Sequence, residues 1–265
     1  MRVNPKDRNH LYAADGVRGN TLGFWVSHDG GDTWTAPPGF LAVGDANALF
    51  QLDVYDVAAD PNDFDHVLVT SHSPWDGFGK YPSRNADSGV LESKDGGATW
   101  IVHDPQPGWS HGNGIWFLHS PGTWLLGTQD GGYFRTADGG AHWNLATSEI
   151  KMQHGGGGIY RSTSGALYAG GVPHLMRSAD DGVSWTAIGP YGGFNTIIGD
   201  GTNLYSAPVG GPKFVTAKES DDSTWTDYPG APELIGGPFE MTYDSTNHIV
   251  YAASWAAGLW ALKVK

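Results

Sequence analysis

The chain has 265 residues, of which 40 are glycine, 16 are proline and 39% are hydrophobic, so it can bury a core but must turn often. Its 28 acidic side chains outnumber the 15 basic ones, and the net charge of −13 argues against a partner that presents phosphates, either a nucleic acid or an anionic membrane. The absence of cysteine excludes disulfides, thiolate metal sites and thiol nucleophiles.

No apolar run reaches the roughly 18 residues that a membrane span needs, and the first residues lack the apolar core of a signal peptide. We therefore predict no membrane partner. The location is extracellular or periplasmic if a leader was removed. Otherwise the sequence leaves the location open, as it does the oligomeric state.

One pattern, Ser/Thr-x-Asp-x-Gly-x-Thr/Ser-Trp, recurs along the chain and predicts its architecture. Four copies keep it closely and a fifth is degraded; they cover residues 27–34, 93–100, 136–143, 178–185 and 218–225. The last four follow one another at steps of 43, 42 and 40 residues, the length of four short strands and their turns. Each step therefore predicts one propeller blade.

The pattern resembles the Asp box, or BNR repeat, of sialidases, sortilin-type receptors, xyloglucanase-like glycoside hydrolases and a photosystem assembly factor. The resemblance implies a β-propeller in which the boxes staple turns and lie away from the active centre. Asp can hydrogen-bond the backbone of its own turn, Gly supplies a positive φ and Trp anchors the hairpin. A structural role is therefore assigned to the box aspartates Asp29, Asp95, Asp138 and Asp180.

The prediction is an all-β propeller of about six four-stranded blades in one domain, residues 1–265, with box turns between the third and fourth strands. The expected blades cover residues 1–40, 50–104, 110–147, 153–189, 194–230 and 236–265. The first blade is expected to lack most of its inner strand and the last its outer strand, and a longer parent with seven blades is the alternative. Because open sheet edges are unfavourable, we expect the termini or an upstream segment to close the ring. In the first blade, residues 4–12 match residues 60–68 of the second.

An insertion at residues 72–89 interrupts the second blade and carries aromatic and basic side chains. Loops on a rigid scaffold are common binding sites. This loop therefore supplies four predicted substrate-binding residues: His72, Trp75, Tyr81 and Arg84. The alternative is a covering loop whose aromatic rings pack onto the blade.

Propellers usually bind ligands where their innermost strands converge, so residues at the starts of those strands are the remaining candidates. Asp53, Asp56 and Glu240 are predicted catalytic carboxylates, because glycoside hydrolysis needs an acid and a base or nucleophile. A turn-capping role is the alternative for Asp53 and Asp56. Asn195 is a further predicted substrate-binding residue.

Two histidines coincide when the blades are aligned on their boxes. His111 and His154 lie 32 and 31 residues before their box tryptophans, so we expect both at the same rim of neighbouring blades. They could act as general acid and base or hold a metal, which is the one cofactor that the sequence suggests. The alternatives are ligand hydrogen bonding or a structural role. Trp109, beside His111, is predicted to bind substrate.

The function predicted first is a glycoside hydrolase acting on a polysaccharide or oligosaccharide at the central axial cleft, with carbohydrate as its partner. A non-catalytic propeller that binds a glycan or a protein is the alternative, and a polysaccharide lyase using His or Tyr is the second alternative. Sialidase activity is not expected, because the Arg-Ile-Pro-type motif of sialidases is absent and the chain has only seven arginines.

Overall fold

The chain folds as a six-bladed β-propeller that is almost entirely β. The computed structural model describes residues 1–14, 23–46, 54–71, 89–109, 114–151, 158–189, 192–208, 211, 213–231, 237–254 and 258–264. Within these residues, six antiparallel sheets follow one another in chain order, and each sheet is one blade. The chain divides into two compact units, Met1–Asn144 and Leu145–Lys265. The predicted blade order and the strand, strand, strand, turn, strand unit are confirmed.

The first three blades contain eleven strands in the described residues. They are β1 (Arg2–Val3), β2 (Leu11–Ala14), β3 (Phe24–Ser27), β4 (Val54–Ala59), β5 (Val67–Ser71), β6 (Val90–Ser93), β7 (Ile101–His103), β8 (Gly114–Phe117), β9 (Trp124–Thr128), β10 (Gly132–Thr136) and β11 (Asn144–Thr147). The first sheet has three strands, and only a bridge between Val26 and Thr35 marks its outer edge. The next two sheets have four strands each.

The last three blades contain the other eleven strands. They are β12 (Ile159–Arg161), β13 (Leu167–Ala169), β14 (Leu175–Ser178), β15 (Thr186–Ile188), β16 (Phe194–Gly199), β17 (Asn203–Pro208), β18 (Val215–Lys218), β19 (Asp221–Asp227), β20 (Pro238–Asp244), β21 (Ile249–Ser254) and β22 (Gly258–Lys263). Two four-stranded sheets precede a three-stranded one that ends at β22. Among the described residues, the last blade lacks its outer strand, as predicted. The first blade has the expected short inner strand of two residues, but its outer strand is also reduced to a bridge, which was not predicted.

The first strand of each blade adjoins the first strand of the next blade within its own unit. Strand β4 lies beside β1 and β8 in the first unit, and β16 lies beside β12 and β20 in the second. The second strands are the most deeply buried, and Leu68, Trp124 and Leu204 among them have no exposed surface. The starts of the first strands therefore place candidate side chains of neighbouring blades near one another within each unit.

One element was not predicted. An α-helix, α1 (Pro38–Ala46), connects the first blade to the second. Proline is favoured in the first helical turn because its missing N–H would have no partner there. Phe40 on this helix is 3% exposed and packs against Phe24 and Trp100, with ring centroids 5.7 and 5.3 Å apart. The helix is stabilised by this tertiary packing and not by the sequence of the segment itself. The short segment, which contains Pro and Gly, therefore did not predict a helix.

The repeated pattern forms the same turn four times, between the third and fourth strands. In the second blade, Asp95 accepts the backbone N–H of Thr99 at 2.8 Å and its hydroxyl at 2.6 Å. The Ser93 hydroxyl accepts the N–H of Gly97 at 2.8 Å, and the Trp100 indole donates to the Gly97 carbonyl at 2.9 Å. We call this arrangement the repeat turn. Its aspartate and tryptophan in the other blades are Asp29 and Trp34, Asp138 and Trp143, and Asp180 and Trp185.

Two departures from the pattern show which part of the turn is essential. His142 takes the place of the threonine in the third blade, and its Nδ1 lies 2.7 Å from Asp138, so an imidazole replaces the hydroxyl. The degraded fifth copy is a tight hairpin in which Lys218 pairs with Asp221. Trp225 still donates its indole N–H to the carbonyl three residues earlier, at 2.7 Å. The tryptophan anchor is therefore kept where the aspartate contacts are lost.

Candidate functional site

The first strand carries a β-bulge at the same step in the second, fifth and sixth blades. Pairing with the second strand shifts between Val54 and Asp56, between Phe194 and Ile197, and between Pro238 and Glu240. Bulges redirect side chains and are over-represented next to active sites. The sequence pattern did not show them, because a bulge changes the register of pairing and not the residue types.

The bulges place three side chains at equivalent positions, which we call the bulge rung: Asp56, Thr196 and Glu240. Each stands four residues before an aspartate whose carboxylate accepts backbone N–H groups of the next turn; these aspartates are Asp60, Asp200 and Asp244. In the third and fourth blades the same position is Gly114 and Gly158, four residues before the N–H that closes the first hairpin. The bulge rung therefore differs in chemistry from blade to blade.

Asp56 is held by donors from three first strands. Arg2 of β1 lies 3.0 Å from Oδ1, the N–H of Val57 donates to Oδ1 at 2.8 Å, and the N–H of Ile115 in β8 donates to Oδ2 at 3.2 Å. The Asp56 side chain is 20% exposed. Charge-assisted bonds of this kind are the strong ones, so Asp56 links the first strands of three blades. This geometry is that of a structural carboxylate, and the predicted catalytic role of Asp56 stays a prediction.

Asn195 and Thr196 bring polar atoms into the interior without a partner. Both residues are 1% exposed, and in the part of the chain that the structure describes the amide of Asn195 and the hydroxyl of Thr196 make no hydrogen bond. A Cβ at Gly170 would come within 2.6 Å of the Asn195 carbonyl, so this position requires glycine. Each unsatisfied buried group costs about 1–3 kcal/mol, and native proteins contain few. The predicted substrate-binding role of Asn195 stays a prediction.

Glu240 is an exposed carboxylate on the bulge rung of the sixth blade. Its strand β20 lies beside β16, which carries Asn195 and Thr196. The second unit therefore places a carboxylate, an amide and a hydroxyl on neighbouring first strands. This arrangement offers both acid–base and hydrogen-bonding groups.

Trp109 is 4% exposed and belongs to the core of the third blade. Its ring meets Trp143 edge to face, with centroids 5.1 Å apart, and lies 6.1 Å from Phe134. This is a packing position, and its predicted part in substrate binding stays a prediction. Seven other predicted site residues lie outside the described residues: Asp53, His72, Trp75, Tyr81, Arg84, His111 and His154.

A polar cluster that the sequence did not predict lies between the second and third blades. Glu92 is 2% exposed, and its carboxylate oxygens lie 2.8 Å from His66 Nε2 and 3.0 Å from His103 Nε2. Lys94 Nζ is 3.2 Å from the first of these oxygens, and both imidazoles pack edge to face against Trp124. Burial by itself would raise the pKa of Glu92, but hydrogen bonds from His103, His66 and Lys94 hold it well below its usual range. The only sequence signal was a glutamate directly after two apolar residues, Val90 and Leu91.

The described residues contain no group of three or more His, Asp or Glu side chains that could hold a metal ion. His111 and His154 lie outside these residues, so a metal at this pair stays a prediction. In the same residues, no helix is long and apolar enough to cross a membrane.

The fold is similar to solved propellers of two kinds. The GH74 xyloglucanase from Xanthomonas campestris aligns with a TM-score of 0.72 at 21% identity, covering 98% of this chain and 43% of that one. The Niastella koreensis GH74 enzyme aligns with a TM-score of 0.71 at 18% identity, covering 98% of this chain and 42% of that one. YCF48 bound to a D1 peptide aligns with a TM-score of 0.61 at 18% identity, covering 97% of this chain and 75% of that one.

Because all three sequence identities are low, these similarities show the fold alone. The chain spans less than half the length of the two GH74 enzymes that it matches. No protein-family model matches it, and no curated protein sequence does.

Proposed function

We propose that the chain is a carbohydrate-active propeller and, more narrowly, a glycoside hydrolase that acts on a polysaccharide or oligosaccharide. The observation that carries this proposal is the exposed carboxylate of Glu240 on a bulge rung, beside the strand that holds the unpartnered amide of Asn195. Glycosidases use carboxylic acids to protonate the leaving oxygen and to activate water or attack the sugar. The GH74 enzymes with the same fold support this reading.

Glu240 is the proposed catalytic carboxylate of the second unit, and Asn195 is proposed to hydrogen-bond the substrate. Asp53 is proposed as a further catalytic carboxylate, and loss of hydrolysis in Asp53→Asn would test this role. The three donors on Asp56 support a structural part for that residue instead. We also propose that the repeat turns are Asp boxes, which their aspartate and tryptophan hydrogen bonds support, and that the protein acts outside the cytoplasm.

A non-catalytic binding propeller is the second candidate, and one specific observation favours it. The Asp56 carboxylate is bound by Arg2 and two backbone N–H groups. Among the described residues, Glu240 is therefore the one exposed carboxylate on the bulge rung that could act as a catalyst. A hydrolase needs two carboxylates. YCF48, whose structure contains a D1 peptide, is similar in fold.

Mass spectrometry of products tests these alternatives. The chain is incubated with a panel of neutral and uronate-containing polysaccharides, with and without a chelator. Products that gain one water support the hydrolase. Unsaturated ends would instead show a lyase, and loss of activity with chelator would add a metal. Binding without products across the panel would support the non-catalytic propeller.

A further inference from the structure

Two matching loops of the first unit enclose a cleft of about 190 Å³. Each loop follows the first strand of its blade and turns in the same way. The Asn4 side chain accepts the N–H of Lys6 at 2.9 Å, and Asp60 accepts the N–H of Asn62 at 2.8 Å. The sequence match between residues 4–12 and 60–68 is thus a structural repeat, and the cleft lies between its two copies.

The cleft has three apolar lining residues and a larger number of polar ones, which we call the polar rim. Pro5, Pro61 and Phe64 line it together with Lys6 and Asn62. The Phe64 ring stacks on Tyr12, with centroids 4.7 Å apart, and meets the ring of His10 edge to face at 5.0 Å. Packing on these rings fixes the phenyl ring before any ligand arrives, which lowers the entropic cost of binding.

The rim has hydrogen-bonding capacity that the protein does not use. In the described part of the chain, the Lys6 ammonium and the Asn62 amide make no side-chain hydrogen bond, and the Asp63 carboxylate accepts only a 3.3 Å contact from the N–H of Asp65. Burial, and then His28, lower the pKa of His10, so its imidazole adds no positive charge at neutral pH. The lining therefore offers both donors and acceptors to a ligand.

We propose that this cleft binds a single neutral sugar residue. Its volume is below the roughly 300–1,000 Å³ of pockets for drug-sized ligands, which suits one ring. Each sugar hydroxyl is both donor and acceptor, so vicinal hydroxyls match the amide, the ammonium and the carboxylates of the rim. The C–H face of a sugar ring matches the apolar wall at Phe64. Asp63 and Asp65 on the lining disfavour an anionic sugar.

This site is distinct from the bulge rung and does not require hydrolysis. The cleft lies beyond the far ends of β1 and β4, whereas Asp56 stands near the start of β4. It would bind carbohydrate without cutting it.

Saturation-transfer NMR on the whole chain tests the proposal, with the methyl glycosides of glucose, xylose, galactose and N-acetylglucosamine as probes, and glucuronate and methylammonium for comparison. Asn62→Trp fills the cleft, Asn62→Ala removes the amide, and Arg8→Ala is the control. Arg8 takes the place of Phe64 in the other loop, is exposed and does not line the cleft.

We expect at least one neutral glycoside to bind the wild type and Arg8→Ala equally. Its Kd should rise about tenfold in Asn62→Ala, as for the loss of one hydrogen bond, and binding should vanish in Asn62→Trp. No transfer to any neutral glycoside, equal transfer in Asn62→Trp, or preference for glucuronate or methylammonium would overturn the proposal. Glycoside binding without any hydrolysis contradicts only the hydrolase proposal, and hydrolysis without binding at this cleft contradicts only this one.

Discussion

Glu92 is a buried carboxylate in contact with His66, His103 and Lys94. Because these contacts lower its pKa, the ionised carboxylate stabilises the native state above the pKa of an unfolded glutamate, and that stabilisation is lost as the pH falls toward the folded pKa. We predict that Glu92→Gln lowers the free energy of unfolding by about 3 kcal/mol at pH 7. Below about pH 4, the difference from the wild type should shrink.

Urea denaturation between pH 7 and pH 3 checks this prediction. Lys94→Ala is the matched control, because Lys94 is 63% exposed although it touches the same carboxylate. Its effect should stay within about 1 kcal/mol. An unchanged stability of Glu92→Gln at pH 7, or a difference that grows toward low pH, would contradict the assignment.

Asn195 is the residue at which function and stability should conflict. Replacing its unpartnered amide with an apolar side chain of similar size removes a buried cost, so Asn195→Leu should raise the free energy of unfolding by about 1–3 kcal/mol. Asn203→Leu is the control, because the amide of Asn203 donates to Asp200 at 3.1 Å and its loss should destabilise. Chemical denaturation measures both. Destabilisation by Asn195→Leu would show that ordered water satisfies the amide.

At the scale of the element, the repeat turn is held by its aspartate. Asp95→Ala removes the acceptor for the N–H and hydroxyl of Thr99. Since the carboxylate faces solvent, the expected loss is about 1 kcal/mol. Asp32→Ala changes an exposed aspartate of the first repeat turn at a position without a conserved contact in the pattern, and should stay within about 0.5 kcal/mol. Calorimetric melting compares the two, and equal melting temperatures would contradict the role of Asp95.

The repeat turns and the blade order could be predicted because their causes are local. Asp95, Gly97 and Trp100 interact within eight residues, so their spacing carries the structure. The ion pair of Arg2 with Asp56 spans 54 residues, and no pattern along the chain marks it. The helix α1 was missed for a similar reason, since Phe40 packs on rings distant in sequence.

At the scale of the whole molecule, the sequence predicted six blades. It also predicted that the first strands of different blades carry different kinds of polar side chain. Glu240 and Asn195 are placed by the structure on neighbouring strands of one unit, as a shared site requires. It also shows the bulges that make Asp56, Thr196 and Glu240 equivalent, which only the pairing register defines. Residues such as Asp53, His111 and His154 lie outside the described part of the chain and stay predictions.

The central claim is that this propeller hydrolyses glycosidic bonds with Glu240. The most direct measurement is mass spectrometry of polysaccharide products formed in water enriched in ¹⁸O, for the wild type, Glu240→Gln and the exposed control Glu149→Gln. We predict one ¹⁸O at each new reducing end, with a rate that falls by about 10²–10⁴ in Glu240→Gln and is unchanged in Glu149→Gln. Products without ¹⁸O, no products, or an undiminished rate in Glu240→Gln would contradict the claim.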